Sequence, residues 1–205
     1  MSKIKTFLVT GGAGFIGSHI TDLLINLGHR VRVLDNFSSG RESNLESQIK
    51  NPKLEIHQID VRAIKKDDSY FKDVDVVLHL AGIGDIVPSI ENPSIYFDVN
   101  VQGTVKVLEA CHFQNIKRFV YAASSSCYGL ARTPTDEYAT IDTRYPYAIS
   151  KYLGELTAFH WMQVYKIPVN SICIFNAYGP RARTKSSYGA MFGVFLKQRL
   201  ENKPL

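Results

Sequence analysis

Short apolar runs alternate along this chain with longer stretches in which apolar and polar residues are mixed. Several runs lack the strict alternation of a half-buried strand, and the segment from Val74 to Leu80 is apolar at five of its seven positions. Such strands are covered on both faces, and their alternation with helical segments is typical of a parallel sheet. We therefore predict an α/β fold, a doubly wound parallel sheet with helices on both faces. Its strands are expected at Phe7–Val9, Val31–Leu34, Leu54–Gln58, Val74–Leu80, Phe119–Ala123 and Val169–Ile174.

The first run leads into a glycine-rich segment, Thr10-Gly11-Gly12-Ala13-Gly14-Phe15-Ile16-Gly17, and then into a helix-like stretch. Such a turn needs a positive φ at Gly11, while Gly14 and Gly17 lack the Cβ that would block a ligand or the packing of helix on strand. The free N–H groups at the start of the helix favour a pyrophosphate. Glycines with this spacing also occur in tight turns that bind nothing, so the segment alone leaves both interpretations open.

An acidic residue at the end of the second run favours a dinucleotide. Asp35 lies 21 positions beyond Gly14, where a carboxylate can accept the hydroxyls of an adenosine ribose. A carboxylate there repels a 2′-phosphate, so we expect NAD rather than NADP. The nearby Arg41 keeps NADP as the alternative, and Asp35 as an ordinary turn residue is the other interpretation.

Composition limits what accompanies this motif. The chain has 205 residues, of which 45% are hydrophobic, enough for one large domain with a sizeable core. Its net charge of +5 is spread without a long basic run, so we expect a nucleotide-type anion and no nucleic acid. Three cysteines without CxxC spacing favour a reducing compartment, and no apolar run is long enough for a signal peptide or a membrane span. We expect a cytoplasmic protein with no membrane partner.

Residues that follow the third and fourth strands are further candidates, because ligands of such sheets bind at the carboxyl ends of the strands. Asp60, followed by Val61, could reach the adenine, and the segment Leu80-Ala81-Gly82 could carry the cofactor backbone. Either could be an ordinary loop. Asn100, in a helical pattern that begins near Pro93, is expected to bond the backbone of the turn after the fifth strand.

Catalytic chemistry is indicated after the fifth strand. Ser124 follows that run, and Tyr147 and Lys151 lie four residues apart on a helix that Pro146 is suited to start. We expect the Lys151 ammonium, together with the positively charged nicotinamide of the cofactor, to lower the pKa of the Tyr147 phenol so that it serves as a base, while Ser124 shares the alcohol oxygen of the substrate. A Tyr and a Lys at this spacing are a chance pair on most helices, and the glycine loop and serine run are what favour function.

These motifs together resemble the extended short-chain dehydrogenase/reductases, in particular the NAD-dependent nucleotide-sugar epimerase/dehydratase group and within it the UDP-glucose/UDP-galactose 4-epimerase-like proteins. The resemblance covers the whole chain. It rests on Gly11 to Gly17, Asp35-Asn36, Asp60-Val61, His79-Leu80-Ala81-Gly82, Asn100, Ser124 with Tyr128-Gly129, Tyr147 with Lys151, and Phe175-Asn176-Ala177-Tyr178-Gly179-Pro180-Arg181.

The resemblance implies a Rossmann domain with NAD as cofactor and no metal. Its catalytic residues would be Ser124, Tyr147 and Lys151, and its substrate contacts Ser124, Ser125 and Asn176. Its cofactor contacts would be Gly11, Gly14, Phe15, Ile16, Gly17, Asp35, Asn36, Ser39, Gly40, Asp60, Val61, Leu80, Ala81, Gly82, Asn100, Tyr147, Lys151 and Phe175. Gly84 departs from the lysine that many UDP-galactose 4-epimerases carry there, which removes one expected phosphate contact.

The residues before Tyr128 separate the chemistries of this group. Sugar 4,6-dehydratases carry Asp-Glu there and nucleotide-glucuronate decarboxylases carry Ser-Glu, whereas this chain has Ser125 and Ser126. Without those carboxylates, we expect epimerisation at C4 of a nucleotide sugar through a transient 4-keto sugar, with UDP as the nucleotide and Tyr147 as base. A non-catalytic, truncated NAD-binding relative and an NAD-dependent dehydratase are the alternatives. Cys127 is interpreted as packing rather than as a second acid or base.

Two expectations concern the rest of the molecule. Members of the group continue into a small substrate-binding domain, so we expect an NAD-binding domain at 1–180 and the start of a truncated substrate-binding segment at 181–205.

The helix from Pro146 has apolar residues around most of its circumference, more than one side of a sheet can cover. We expect a homodimer through the face that is left over; the alternative is that the missing C-terminal segment or a loop of the same chain covers it. The apolar residues spread around this helix are Ala148, Ile149, Tyr152, Leu153, Leu156, Phe159, Trp161, Met162, Val164 and Tyr165, and Val101, Val105 and Leu108 are expected to contribute to the contact made by its uncovered face.

Overall fold

The computed structural model describes residues 3–182 and 191–204. Its centre is a six-stranded sheet in the order β3-β2-β1-β4-β5-β6, in which each neighbouring pair is parallel. The prediction of a parallel α/β sheet is therefore confirmed. The strands are β1 (Thr6–Thr10), β2 (Arg30–Asp35), β3 (Leu54–Gln58), β4 (Val76–His79), β5 (Arg118–Ser124) and β6 (Val169–Ile174).

The fourth strand is shorter than the predicted Val74–Leu80. Asp73 has a φ of 59°, and the Val74 N–H donates to the Phe71 carbonyl at 3.4 Å, so the chain is still turning there. Leu80 lies beyond the last strand residue, although its N–H donates to the Thr10 carbonyl at 3.1 Å. The prediction failed at both ends because apolar residues continue beyond the segment that pairs.

Helices connect the strands. Pro93 and Pro146 each stand in the first turn of a helix, where the N–H that proline lacks has no partner to lose. The helical stretch from Pro93 passes through a π-helical turn at Asp98–Gln102 before it continues. The helices are α1 (Phe15–Asn26), α2 (Ile86–Glu91), α3 (Pro93–Phe97), α4 (Gly103–Phe113), α5 (Pro146–Tyr165) and α6 (Met191–Leu200).

The core lies on both faces of the sheet. On β1, Leu8 belongs to the buried cluster that includes residues of α4 and α5, whereas Val9 belongs to the cluster that includes residues of α1. Neighbouring residues of one strand thus point into opposite layers, which explains the apolar runs without polar alternation. The doubly wound arrangement is confirmed.

One residue of the expected subunit contact is in the wrong place. Leu108 is fully buried in the chain's own core, so it cannot reach a second subunit. The pattern on the sequence could not separate the face of α4 that covers the sheet from the face that does not. On α5, exposed apolar side chains do remain: Leu156, Met162, Val164 and Tyr165.

The topology creates a crevice between two strand ends. β1 pairs with β2 on one side and with β4 on the other, so the order in which successive strands are added to the sheet reverses at β1. Ligands of open parallel sheets bind at such a switch point, outside the carboxyl ends of the strands. Within residues 3–182 and 191–204, the structure has no helix with the length and apolar character that crossing a membrane requires.

Candidate functional site

Two adjoining cavities open at the carboxyl edge of β1 and β4 and form one cleft. Both are lined by Gly11, Gly14, Leu80 and Gly82. The smaller cavity, about 210 Å³, continues to Asp35 and is called here the Asp35 end of the cleft. The larger, about 420 Å³, continues to Tyr147 and is called the Tyr147 end.

The glycine loop shapes the wall that the two ends share. Gly11 has a φ of 70°, and a Cβ there would stand 2.7 Å from the backbone nitrogen of Ala81 on the opposite wall. A Cβ on Gly17 would collide with the Gly11 carbonyl, because α1 begins directly on the turn. The N-terminus of α1 has no side-chain cap, and its first residues, Phe15 to Gly17, line the Tyr147 end. Backbone cradle and helix N-terminus together fit a pyrophosphate.

Asp35 lines the smaller cavity and also has a structural role that sequence reasoning missed. Its carboxylate accepts the Ala13 N–H at 2.9 Å and the Phe37 N–H at 2.8 Å. A Cβ on Gly40 would lie 2.8 Å from the same carboxylate, so only glycine fits there. Asp35 therefore ties the glycine loop to the loop after β2, and Ser39 of that loop lines both ends of the cleft.

A second carboxylate stands beside Asp35. Asp60 accepts hydrogen bonds from the Arg62 guanidinium at 2.7 and 2.9 Å and from the Asn36 amide at 3.0 Å. The Arg62 hydrogen bonds hold the pKa of Asp60 well below its usual range. Asn36, Asp60 and Val61 all line the Asp35 end, so the structure brings these sequence-predicted residues together.

Asn100 does not contact the turn after β5, contrary to the sequence-based expectation. Its amide donates to the Ile83 carbonyl at 3.0 Å and accepts the Ile83 N–H at 2.9 Å, which places it against the turn after β4. It also donates to the Ser150 hydroxyl at 3.0 Å. The side chain is buried behind Gly82 and lines neither cavity, because the helical stretch from Pro93 packs beneath the end of β4. Asn100 can thus hold the cleft wall but does not form it.

Ser124, Tyr147 and Lys151 meet at the Tyr147 end. The Tyr147 hydroxyl donates to the Ser124 hydroxyl at 3.2 Å, and the Ser124 hydroxyl donates to that of Ser126 at 3.1 Å. The Lys151 ammonium lies 4.4 Å from the centre of the Tyr121 ring. A phenol and a serine hydroxyl in contact, in the same cavity as a buried ammonium, can bind and deprotonate an alcohol.

The pKa of Tyr147 shifts in the direction opposite to that expected. Burial raises it, the hydrogen bond to Ser124 lowers it, and the Asp85 carboxylate raises it further. Burial also lowers the pKa of Lys151, to about 8. Burial thus has the largest influence on the pKa of Tyr147, and the Lys151 ammonium stands over the Tyr121 ring.

Some predicted residues lie outside the cleft. Ser125 is in the 3₁₀ turn Ser125–Tyr128 and Asn176 is exposed after β6, and neither lines either cavity. Gly40 packs against Asp35 rather than facing these cavities. Phe175 does line the Tyr147 end and stacks on Tyr128, with ring centres 6.2 Å apart.

The structure adds residues that sequence reasoning did not single out. Asp85 lines the Tyr147 end and has a φ of 78°, and its place just after the predicted cofactor segment 80–82 was the available signal. Tyr96 donates to the Gly84 carbonyl at 2.6 Å and packs its ring edge-on to Tyr147, with centres 6.3 Å apart. This end is also lined by Arg41, which kept the NADP alternative open, and by Arg181, the last residue of the family motifs.

Comparison with known proteins agrees with this geometry. The Epimerase family model, described as the NAD dependent epimerase/dehydratase family, matches residues 7–205. A protein of Methanocaldococcus jannaschii, named as a candidate UDP-glucose 4-epimerase, is 38% identical over 199 residues, which are 96% of this chain and 63% of that protein.

Two solved structures are similar throughout the chain. A UDP-N-acetylglucosamine 4-epimerase from Methanobrevibacter ruminantium, in complex with UDP-N-acetylmuramic acid, is 33% identical with a TM-score of 0.93, over 98% of this chain and 64% of that one. DesIV, a dTDP-glucose 4,6-dehydratase from Streptomyces venezuelae with NAD and TYD bound, is 28% identical with a TM-score of 0.88, over 98% and 63%. The chain thus spans less than two thirds of the length of these relatives.

Proposed function

This chain belongs to the NAD dependent epimerase/dehydratase family, and on that premise we propose that it serves in epimerisation at C4 of a nucleotide sugar, with UDP as the nucleotide. The observation that carries the proposal is the hydrogen bond between Tyr147 and Ser124 inside a cavity that continues directly into the glycine loop. It places a potential base beside the site that fits a dinucleotide. The sugar itself is left open.

The residues of the cleft fit NAD, the cofactor of the family. The glycine loop and the first turn of α1 would hold the pyrophosphate, and Asp35 would accept the adenosine ribose hydroxyls through the lone pairs that Ala13 and Phe37 leave free. Asp60 and Asn36 are placed for the adenine. Lys151 would hold the second ribose. When bound, NAD supplies the acceptor for a hydride from C4 and its donor on return.

Side chains of this protein would transfer the proton of the sugar hydroxyl. Tyr147 takes the proton of the sugar O4 as the C4–H bond breaks and the 4-keto sugar forms, and it returns the proton after the sugar has turned over. Ser124 hydrogen-bonds the same oxygen throughout. Because burial raises the pKa of Tyr147, ionisation of its phenol needs a neighbouring cation, and Lys151 is the ammonium in the same cavity.

A nucleotide-sugar dehydratase is the second candidate, and Asp85 favours it. Elimination of water needs a further acid or base beyond Tyr147, and Asp85 supplies a carboxylate in the same cavity, although Ser125 and Ser126 stand where dehydratases carry theirs. Similarity to DesIV supports the same candidate. A third possibility is that the chain holds NAD without turnover.

One experiment separates the three. The active form of the protein is loaded with NAD and incubated with UDP-glucose, UDP-galactose, their N-acetyl counterparts and UDP-glucuronate, and the products are resolved by chromatography with mass detection. A C4 epimer of unchanged mass supports epimerisation, whereas a product lighter by one water identifies a dehydratase. Bound NAD with every sugar unchanged would contradict both enzymatic proposals.

We further propose that residues 1–180 are the NAD-binding domain and that 181–205 begin the substrate-binding segment. In support, the wall of the Tyr147 end passes from Phe175 and Ala177 to Arg181 and Ala182, the first two residues of that segment. A cytoplasmic location is proposed because Cys111, Cys127 and Cys173 carry free thiols in the structure.

A homodimer through α5 is proposed from its exposed apolar side chains. Leu156 is 45% exposed, Val164 51% and Tyr165 43%, and such a patch on a helix favours a partner. Light scattering at micromolar concentration should give twice the mass of one chain, and Leu156→Glu should reduce the measured mass to that of one chain. Leu23→Glu on α1, where Leu23 is 58% exposed, is the matched control and should stay dimeric. A monomeric unmodified chain would contradict the proposal.

A further inference from the structure

His79 links three elements beneath the cleft. Its imidazole is buried between the end of β1 and helix α4, with Nδ1 at 2.7 Å from the Thr10 hydroxyl and Nε2 at 2.9 Å from the Thr104 hydroxyl. Burial lowers the pKa of His79 to about 3, so the ring is neutral. A neutral imidazole has one N–H and one bare nitrogen, and its neighbours decide which is which.

The Thr104 side fixes the proton. The Thr104 hydroxyl lies 2.7 Å from the Asn100 backbone carbonyl, which can only accept a hydrogen bond. Thr104 therefore donates its single hydroxyl proton to that carbonyl. Towards His79, the Thr104 oxygen can then only accept. Nε2 must therefore carry the hydrogen of the ring.

The Thr10 side leads independently to the same tautomer. The Ala81 N–H donates to the Thr10 oxygen at 3.2 Å, which leaves the Thr10 proton for Nδ1. If Nδ1 carried a hydrogen instead, the Thr10 oxygen would accept twice and its own proton would have no acceptor among the hydrogen bonds of the described residues. The hydrogen bonds thus run in one direction, from the Ala81 N–H through Thr10, His79 and Thr104 to the Asn100 carbonyl.

We propose that His79, held as the Nε2–H tautomer, is a positioning residue that sets the spacing between the two walls of the cleft. This role rests on the proposed binding of NAD. Thr10 immediately precedes the glycine turn on one wall, and Ala81 lies in the segment 80–82 of the other wall.

The far end of the chain of hydrogen bonds strengthens this role. Asn100 accepts the Thr104 proton through its carbonyl, and its side-chain amide holds both the N–H and the carbonyl of Ile83. The wall segment is therefore held at Ala81 by Thr10 and at Ile83 by Asn100, which are the two ends of the same series of hydrogen bonds. Because Gly11 sits so close to Ala81 that a Cβ would not fit, a small shift of either wall would change the space for a pyrophosphate.

The tautomer is tested first, on the unmodified 205-residue chain without NAD. Nitrogen-15 spectra of histidine-labelled protein should show, for His79, one protonated and one bare ring nitrogen at neutral pH, with the proton on Nε2. His79→Gln identifies the signal. A proton on Nδ1, or a charged ring, would overturn the inference.

The positioning role is tested by NAD affinity together with thermal stability. Thr10→Val removes a donor and an acceptor at nearly constant volume and should raise the Kd of NAD by about tenfold, which corresponds to 1.4 kcal/mol. Thr10→Ser keeps the hydroxyl and should stay within a factor of about two of the unmodified chain. Thr21→Val is the control, because the buried Thr21 hydroxyl has no hydrogen-bond partner among the described residues, and its NAD affinity should be unchanged.

The outcomes separate this role from the proposed function. A Thr10→Val protein that unfolds at a lower temperature but binds NAD normally would overturn the positioning role and leave the proposed function standing. An unmodified chain with the Nε2–H tautomer and no affinity for NAD would overturn the proposed function, and the positioning role with it. Weaker binding in Thr10→Val, with recovery in Thr10→Ser, supports both.

Discussion

The two ends of the cleft are built in opposite ways. At the Asp35 end, the chain's own donors surround the carboxylates: backbone N–H groups bond Asp35, and Arg62 bonds Asp60. At the Tyr147 end, the Tyr147 phenol is half-buried and Lys151 is buried, and the pKa of each is shifted against its charged form. The fold thus stabilises charged carboxylates at the Asp35 end, where a cofactor would be held. It disfavours the charged forms of Tyr147 and Lys151 at the Tyr147 end, where a proton would move. Substitutions at the two ends should therefore affect different measurements.

The largest effect is expected from Tyr147→Phe. In the active form of the protein, it should lower kcat by roughly 10² to 10⁴ with little change in NAD affinity, because the phenyl ring keeps the packing and loses only the acid–base group. Lys151→Ala should lower both kcat and NAD affinity. Steady-state kinetics and calorimetry check this result.

The control for this change is Tyr145→Phe. Tyr145 precedes α5, is 41% exposed and does not line the cleft. Loss of its hydroxyl should therefore change neither kcat nor NAD affinity. Near-normal turnover in Tyr147→Phe would mean that another group is the base.

The next largest effect is on cofactor choice at the Asp35 end. The unmodified chain should bind NAD about 5- to 150-fold more tightly than NADP, since a carboxylate facing a 2′-phosphate costs on the order of 1 to 3 kcal/mol. Asp35→Ala should reduce the ratio of the two affinities. It should also lower the affinity for NAD, because the Ala13 N–H loses its acceptor. Calorimetry with both dinucleotides measures the ratio.

Two variants sharpen this result. Asp35→Asn removes the charge but keeps an acceptor for the loop, so the ratio should narrow with a smaller loss of NAD affinity. Asp75→Ala removes a carboxylate that accepts the Thr6 N–H at the opposite edge of the sheet, and the ratio should not change. Equal affinities of the unmodified chain for NAD and NADP would remove the assigned role of Asp35.

A smaller effect is expected from Asp85→Asn at the Tyr147 end. The Asp85 charge raises the pKa of Tyr147, so its removal should lower that pKa. Since the base acts when deprotonated, the acid limb of the kcat/KM profile should move to lower pH, by less than about one unit. Asp67→Asn, at an exposed carboxylate outside the cleft, should leave the limb in place. A shift to higher pH would contradict the stated interaction.

The smallest effect concerns acid stability at the Asp35 end. The pKa of Asp60 is depressed in the folded chain, so its contribution to stability is present above the unfolded value of about 3.9 and is lost as pH falls. Arg62→Ala should reduce that loss, and the drop in unfolding temperature between about pH 5 and pH 3 should become smaller. The change should be slight because solvent screens these partly exposed groups. An unchanged pH dependence would show that the pair contributes nothing measurable.

The sequence by itself determined the sheet and several of the groups in the cleft. Apolar runs without alternation require burial on both faces, and a turn that needs a positive φ and no Cβ can be recognised wherever glycines are spaced as in Gly11 to Gly17. The pairing of Tyr147 with Lys151 on one helix also follows from local periodicity. Such features depend on the chain's own neighbours, so no tertiary information is needed to find them.

The tertiary structure decided what surrounds each group. Asn100 bonds the turn after β4, Leu108 faces the chain's own core, and the pKa of Tyr147 rises. Each of these depends on atoms brought from distant parts of the chain, through crossover connections whose packing no local pattern encodes. Desolvation in particular is set by every element that covers a group, and for that reason the sequence could name Tyr147 but not the direction of its pKa shift.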